Sequence, residues 1–378
     1  MTAGAPATSG RLGPRSMPRA ETDMPGLGLH TLPREALDRL VYMVGSPRGG
    51  TTVIYRAFRL SDRVFDFPGI THFMSHVWKH RNRVHDRLLQ QIFKIPDFYH
   101  ERQILDSLED AKKLALRRYI RDAFASRDLG RMYQVYPLVY ALDPGCAKDP
   151  ARVRCWVDKA NDVYGLFDIP RSMPGARFVF ITRDPRGANA SMRRQVGAFA
   201  GEEDEEEKSH DSLIASCIYW RHMMQTLLRF AARYPDRTRF VRYEDFMLAP
   251  EDTINGLLEF AAGESMAPEA LRQGMSRFKH SVRHDPSIRE TGIDTRPMTR
   301  WQQMLSDQEI ELVSALTGPT ARKLGYDPGP ASSPLAVARA VLRLKGTRRR
   351  LIASAKLAFL EAREPLVPSR PASGPVVR

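Results

Sequence analysis

The residues best placed for chemistry are Gly45-Ser46-Pro47-Arg48-Gly49-Gly50-Thr51-Thr52. Gly45 and Gly50 have the spacing of a phosphate-binding loop, G-x-x-x-x-G-K-[ST]. Thr51 stands where that loop has its lysine, and the cation inside the loop is Arg48. A strand that runs into a glycine-rich turn and then a helix is an anion site. Backbone N–H groups and the positive end of the helix dipole face the ligand, and side chains in place of the glycines would block the approach. Thr51 and Thr52 open the helix, so their hydroxyls and amides point at the ligand. In a nucleoside triphosphatase the lysine bridges the β- and γ-phosphates and the Ser/Thr holds Mg²⁺. Here that arrangement is broken. Arg48 has a permanent charge and a planar fork of donors, and it can neutralise charge on a bridging oxygen without a metal.

Such a loop must sit between a strand and a helix. LVYMVG (40–45), RCWVDK (154–159), RFVFITR (177–183) and TRFVRYED (238–245) read as buried strands, with helical patterns between or after them. Alternating strands and helices imply an α/β fold with a parallel sheet covered on both faces. Ligands bind at the carboxyl ends of such strands, where the motifs lie. Residues of about 84–142 read as a charged, largely helical insertion over the sheet, serving either to shape a substrate pocket or simply to pack. The acidic run GEEDEEEKSH (201–210) reads as a solvated mobile loop or a lid, followed from Asp211 by a long amphipathic helix.

The string SPRGGTT resembles the PRSGTT loop of sulfotransferases, which binds the 5′-phosphosulfate of 3′-phosphoadenosine 5′-phosphosulfate (PAPS). FVFITRDPRGANASM (178–192) is similar to that family's RDPRDxxxS element, and FVRYEDFMLAP (240–250) to its RYEDL strand and turn. WVDKANDVYGLFDIPRSMPGARFVF (156–180) resembles the EKTP…LPxARFI segment, and TRWQQMLSDQEIELVSALTGPTARKLGYD (299–327) the closing region. The likeness runs from about residue 40 to 328 with the motifs in order. It implies a three-layer fold like that of P-loop NTPases and transfer of a sulfonate from PAPS to an acceptor hydroxyl or amine, with no metal. Arg48, Gly49, Gly50, Thr51 and Thr52 would hold the 5′-phosphosulfate. Arg183 and Ser191 would hold the 3′-phosphate, and Tyr243 would lie near the adenine, with Glu244 and Asp245 structural. Arg48 would stabilise the bridging oxygen of the leaving bisphosphate. Lys159, with Asp158 beside it, would face the sulfonate.

Many carbohydrate and protein sulfotransferases carry a glutamate soon after the loop helix. The matching stretch here, FDFPGITHFMSHVW (65–78), has none. His72 is the candidate base, since imidazole titrates near neutrality. His76, Asp66 and an acid from the helical insertion are alternatives, as is a purely structural His72. Other family members use a histidine at a position closer to Asn161 here.

Composition narrows the partners. Of the net charge of +14, residues 331–378 carry +8, so the core is only mildly basic and a nucleic-acid-binding core is not indicated. Residues 1–33 read as a disordered segment, 34–328 as the sulfotransferase domain and 329–378 as a basic amphipathic tail that could lie on an anionic membrane surface. Cys146, Cys155 and Cys217 fit no disulfide framework or metal site. With no signal peptide and no spanning helix in the sequence, a cytoplasmic enzyme is expected, peripheral at the membrane if the tail binds there. Two other readings compete: a P-loop kinase or nucleotide hydrolase, and a non-catalytic binder of nucleotide or anionic polymer.

Overall fold

The computed structural model describes residues 32–66, 73–74, 108–126, 128–141, 148–197, 205–276, 288–289, 292–293 and 295–329. His72 and His76, the N-terminal segment, most of the first half of the insertion, Cys146 and the basic tail lie outside the described residues.

In chain order the main elements begin with β1 (Leu40–Gly45), α1 (Thr51–Phe58), β2 (Val64–Asp66), α2 (Asp110–Ala125), α3 (Leu129–Ala141) and β3 (Cys155–Ala160). They continue with β4 (Arg177–Thr182), α4 (Pro185–Gly197), α5 (Glu205–Arg233), β5 (Thr238–Arg242), α6 (Tyr243–Leu248), α7 (Pro250–Ala262) and α8 (Pro268–Ser276). Two more, α9 (Trp301–Met304) and α10 (Asp307–Lys323), follow near the end. The central sheet has the order β2-β3-β1-β4-β5, and every pairing is parallel. The chain winds from β1 to one edge and then jumps to β4 on the other side. The crevice for a ligand in such a sheet opens at that switch, at the carboxyl end of β1.

The strands are buried on both faces because their residues alternate between two cores. Tyr42, Val44, Trp156, Phe178 and Phe180 pack into one, under α3, α5 and the end of α10. Val41, Met43, Val157, Val179 and Ile181 pack into the other, under α1, α7 and α8. This is the three-layer α/β architecture expected. Each fully buried large side chain contributes roughly 1.5–3 kcal/mol. A third cluster, including Ala190, Leu213, Cys217, Leu312 and Leu316, ties α4 to α5 and α10. It brings the C-terminal segment over the loop.

Three local expectations are corrected. Tyr243, Glu244 and Asp245 were expected on a strand, but β5 ends at Arg242 and they open α6. The acidic run does not stay a loop: α5 begins at Glu205, six residues before the expected start. Acidic residues suit a helix N-terminus, where the dipole is positive. The sequence reading also passed over β2, whose three residues are too few for a periodic pattern. Within the insertion, α3 is a core helix: Tyr133 is fully buried, stacked on Phe73 and edge-on to Trp156.

Candidate functional site

The loop leaves β1 at Gly45, where a Cβ would come within 2.5 Å of the Ile181 carbonyl on β4, so only glycine lets the two strands stay this close. Gly50 caps α1 with φ 90°, and a Cβ there would run into the Tyr243 ring. Between them Arg48 takes φ 62°, a left-handed conformation for a residue with a side chain. That costs about 1–3 kcal/mol and points to a functional constraint. Two hydrogen bonds tie it to neighbouring elements. Arg183 Nη1 donates to the Arg48 carbonyl at 3.0 Å, and Arg48 Nε donates to Ser191 Oγ at 3.0 Å.

Arg183 stands just past β4. Its Nη2 donates to the Pro297 carbonyl at 2.7 Å, and its guanidinium lies 4.4 Å above the Tyr243 ring. Its Nε is buried with no hydrogen-bond partner among the described residues. The following turn is pinned from behind. Glu244 accepts from the Asp184 N–H at 3.0 Å and from the Tyr326 hydroxyl at 2.9 Å, and Tyr326 also meets Thr182 Oγ1 at 3.1 Å. Burial raises the pKa of Glu244, and these hydrogen bonds and the charge of Arg183 oppose the rise. Glu244 is therefore a structural brace, as expected. Pro185 then starts α4 at its first position, where a missing N–H is tolerated. Ser191 lies on α4 opposite the loop and within reach of Arg48.

Arg48, Arg183, Ser191, Tyr243, Arg300 and Trp301 share the lining of one cavity of about 60 Å³. Arg300 and Trp301 were missed as site residues. They stand inside the quoted closing motif, but nothing in the spacing of TRWQQM says that it folds back over the loop. The Arg186 guanidinium stacks 4.2 Å from the Trp301 ring and pairs with Asp184 at 2.6 Å, which fixes that fold-back.

The end of β3 supplies the other cation. Lys159 is 8% exposed, and its ammonium donates to Thr52 Oγ1 at 3.1 Å and lies 5.5 Å from the Tyr55 ring. Burial above all, and the charge of Arg56, lower its pKa to about 8, against a smaller opposing pull from Asp158. Arg56, on α1, was also missed. Its Nη1 is buried with no hydrogen-bond partner among the described residues. Asp158 does not reach Lys159, because neighbouring strand residues point to opposite faces. Its carboxylate instead accepts from the buried Tyr133 hydroxyl. Asn161 follows, held by the Thr51 hydroxyl at 3.4 Å and, through its carbonyl, by the Tyr219 hydroxyl at 2.7 Å. So the structure gathers Arg48, Gly49, Gly50, Thr51, Thr52, Lys159, Arg183, Ser191 and Tyr243 around the carboxyl ends of β1, β3 and β4. The Thr51 hydroxyl is turned toward Asn161, while Thr52 is held by Lys159.

The fold and site define a doubly wound α/β protein with an arginine-bearing loop at its switch point, facing two further arginines. The model of the sulfotransferase family matches residues 41–267, more than half of the chain, and the protein belongs to that family. It is a sulfotransferase. Among solved structures it is similar to the sulfotransferase domain of the Synechococcus PCC 7002 olefin synthase. The identity is 16%, the match covers 79% of this chain and 97% of that one, and the TM-score is 0.52. Sulfotransferase STF9 from Mycobacterium avium matches at 16% identity over 77% of each chain, with a TM-score of 0.42. No curated protein matches the chain. No described helix is long and apolar enough to cross a membrane.

Proposed function

We propose that the sulfonate donor is PAPS and that the acceptor is a hydroxyl compound. One observation carries this reading. Three guanidinium groups, from Arg48, Arg183 and Arg300, line one cavity with Ser191, beside loop amides at a helix N-terminus. An adenosine bisphosphate needs such a set, because each phosphate must exchange its water for charged donors. When bound, the donor supplies an activated sulfonate on the 5′-phosphate.

In this reading the amides of Gly49 to Thr52 and the N-terminus of α1 hold the 5′-phosphate. Arg183, Ser191 and Arg300 hold the 3′-phosphate, and Tyr243 forms the floor beneath Arg183. The acceptor oxygen forms a bond to sulfur as the bond from sulfur to the bridging oxygen breaks. The electron pair stays on the departing phosphate, where Arg48 offsets the developing charge. Lys159 holds the sulfonate in line with the acceptor. The hydroxyl proton goes to a base, and His72 is the residue we propose for it.

Calorimetric titration with 3′-phosphoadenosine 5′-phosphate and with ATP, both without Mg²⁺, tests the donor assignment. The bisphosphate is expected to bind, ATP to bind weakly, and Arg183→Ala and Arg48→Ala to weaken the bisphosphate. Equal binding of ATP, or no effect of either variant, would refute it.

A further inference from the structure

The amino ends of the strands, at the edge of the sheet away from the loop, also gather arginines. Arg63 precedes β2, Arg154 precedes β3, Arg39 precedes β1, Arg177 opens β4, and Arg237 and Arg239 flank the first residue of β5. Three of these share a face. Arg177 pairs with Val41 and Arg239 with Val179, so Arg39, Arg177 and Arg239 each stand two residues further along on successive strands. Residues an even number apart point to the same side of a sheet, here the side of Val41, Met43 and Val179 under α7. The guanidinium groups of Arg177 and Arg239 both lie 4.9 Å from the ring of Phe260 on α7. By register Arg39 stands beside Cys155 on the same face. Burial raises the pKa of that thiol to about 12, and the charges of Arg39, Lys148 and Arg177 oppose the rise.

The arginines on either side of these three are already satisfied. Arg63 pairs with Glu264 at 2.8 Å, and Arg154 lies 3.9 Å from the same carboxylate. Arg237 donates to the carbonyls of Ala176 and Met173, each at 2.9 Å, and to that of Pro170 at 3.5 Å. Arg39, Arg177 and Arg239 differ. Among the described residues no carboxylate pairs with any of them, and no acceptor takes a hydrogen bond from their guanidinium groups. All three are half-buried. Burial, and then the charges of Arg39 and Arg239, lower the pKa of Arg177. Like charges held this close repel one another. Phe260 belongs to the last turn of α7, and the negative end of that helix dipole offsets the repulsion only in part.

We infer that Arg39, Arg177 and Arg239 form a second anion site, for a compact phosphate-type anion of more than one charge, such as a diphosphate. Guanidinium forks meet phosphoryl oxygens two at a time. A single carboxylate would leave two of the three cations without a counter-charge. A long polyanion needs a continued run of free cations, and here the run stops at Glu264 on one side and at the carbonyl-bound Arg237 on the other. A membrane plane needs charges that protrude, whereas two of these guanidinium groups lie against a ring that is 8% exposed. The site stands at the amino ends of strands whose carboxyl ends carry the loop, so an anion here and a nucleotide there are held at once. The assignment does not rest on what the loop binds.

The test uses the full-length protein with saturating 3′-phosphoadenosine 5′-phosphate, which fills the loop, at constant ionic strength. Pyrophosphate, orthophosphate and chloride are compared by thermal unfolding, and pyrophosphate is titrated by calorimetry. Pyrophosphate should bind saturably and raise Tm with its concentration, orthophosphate less so, and chloride not at all. Arg177→Gln and Arg239→Gln should each weaken pyrophosphate about tenfold. Arg39→Gln leaves both contacts with Phe260 in place and should weaken it as well, so the site is still tested if the other two variants fold poorly. All three variants should bind the bisphosphate like the parent. Absence of pyrophosphate binding, an equal response to chloride, or unchanged pyrophosphate affinity in the folded variants overturns the proposal. Failure of the bisphosphate to bind strikes the donor reading instead, and loss of pyrophosphate binding in Arg39→Gln or Arg177→Gln still decides the second site.

Discussion

The strands on either side of β1 end in cations that are held in opposite ways. At the end of β4, Arg183 is gripped on three sides, by the carbonyls of Arg48 and Pro297 and by the Tyr243 ring, and the turn behind it is braced by Glu244 and Tyr326. At the end of β3, Lys159 has one hydroxyl and one aromatic ring, a second cation nearby, and an aspartate that faces the other way. The first cation is preorganised. The second is a buried charge that the described residues leave largely uncompensated. A site that must bind one end of a ligand rigidly and act on the other end gains from this asymmetry. Preorganised donors bind without further ordering, while an under-compensated charge is strengthened by the anion it awaits.

The largest effect should come from undoing the grip. Arg183→Ala removes the phosphate contact proposed for this residue and the donor that holds Arg48 in its left-handed conformation. Affinity for the bisphosphate should fall about 100-fold, near 3 kcal/mol. Arg183→Lys should recover little, because a point charge cannot reach the Arg48 and Pro297 carbonyls together. Recovery by lysine to near the parent affinity would mean that charge alone matters, and the contrast between the two strand ends would collapse.

At the other strand end, removing the cation should make the protein more stable. Lys159→Met replaces a buried ammonium with an apolar chain of similar length, and should stabilise the protein at pH 7 by about 1–3 kcal/mol in urea unfolding. The pH dependence has a definite sign. Folding lowers the pKa of Lys159 from 10.5 to about 8. Between those values the unfolded chain holds a proton that the folded chain has lost, so stability of the parent rises with pH across that window. The advantage of methionine should therefore shrink from pH 7 toward pH 10. An advantage that stays constant would show that Lys159 is compensated after all.

The same asymmetry decided what could be read in the sequence. The sheet and the loop were legible because their signals are local: LVYMVG is buried at all six positions, and the glycine spacing survives the loss of the lysine. Arg183 and Ser191 came from the resemblance of one strand-to-helix motif, and the structure brings both to the cavity that Arg48 lines. Arg300, Trp301 and Arg56 were not, since each reaches the site through a chain reversal or a helix face that no short spacing encodes. The strand assigned to TRFVRYED ran three residues too far because tyrosine favours strands, whereas Glu244 and Asp245 suit the first turn of a helix.

The smallest predicted effect separates brace from grip. Tyr326→Phe deletes the hydroxyl that bonds Glu244 and Thr182, and leaves the bond from the Asp184 N–H to Glu244 in place. The buried carboxylate loses one donor, so stability should drop by about 1–2 kcal/mol in urea unfolding. Affinity for the bisphosphate should change by less than about threefold, because the contacts that hold Arg183 itself are untouched. A loss comparable with that of Arg183→Ala would place the brace inside the binding machinery. Preorganisation of the β4 end would then extend through the LGY segment to α10, and the two strand ends would differ in how far their support reaches as well as in how tightly each cation is held.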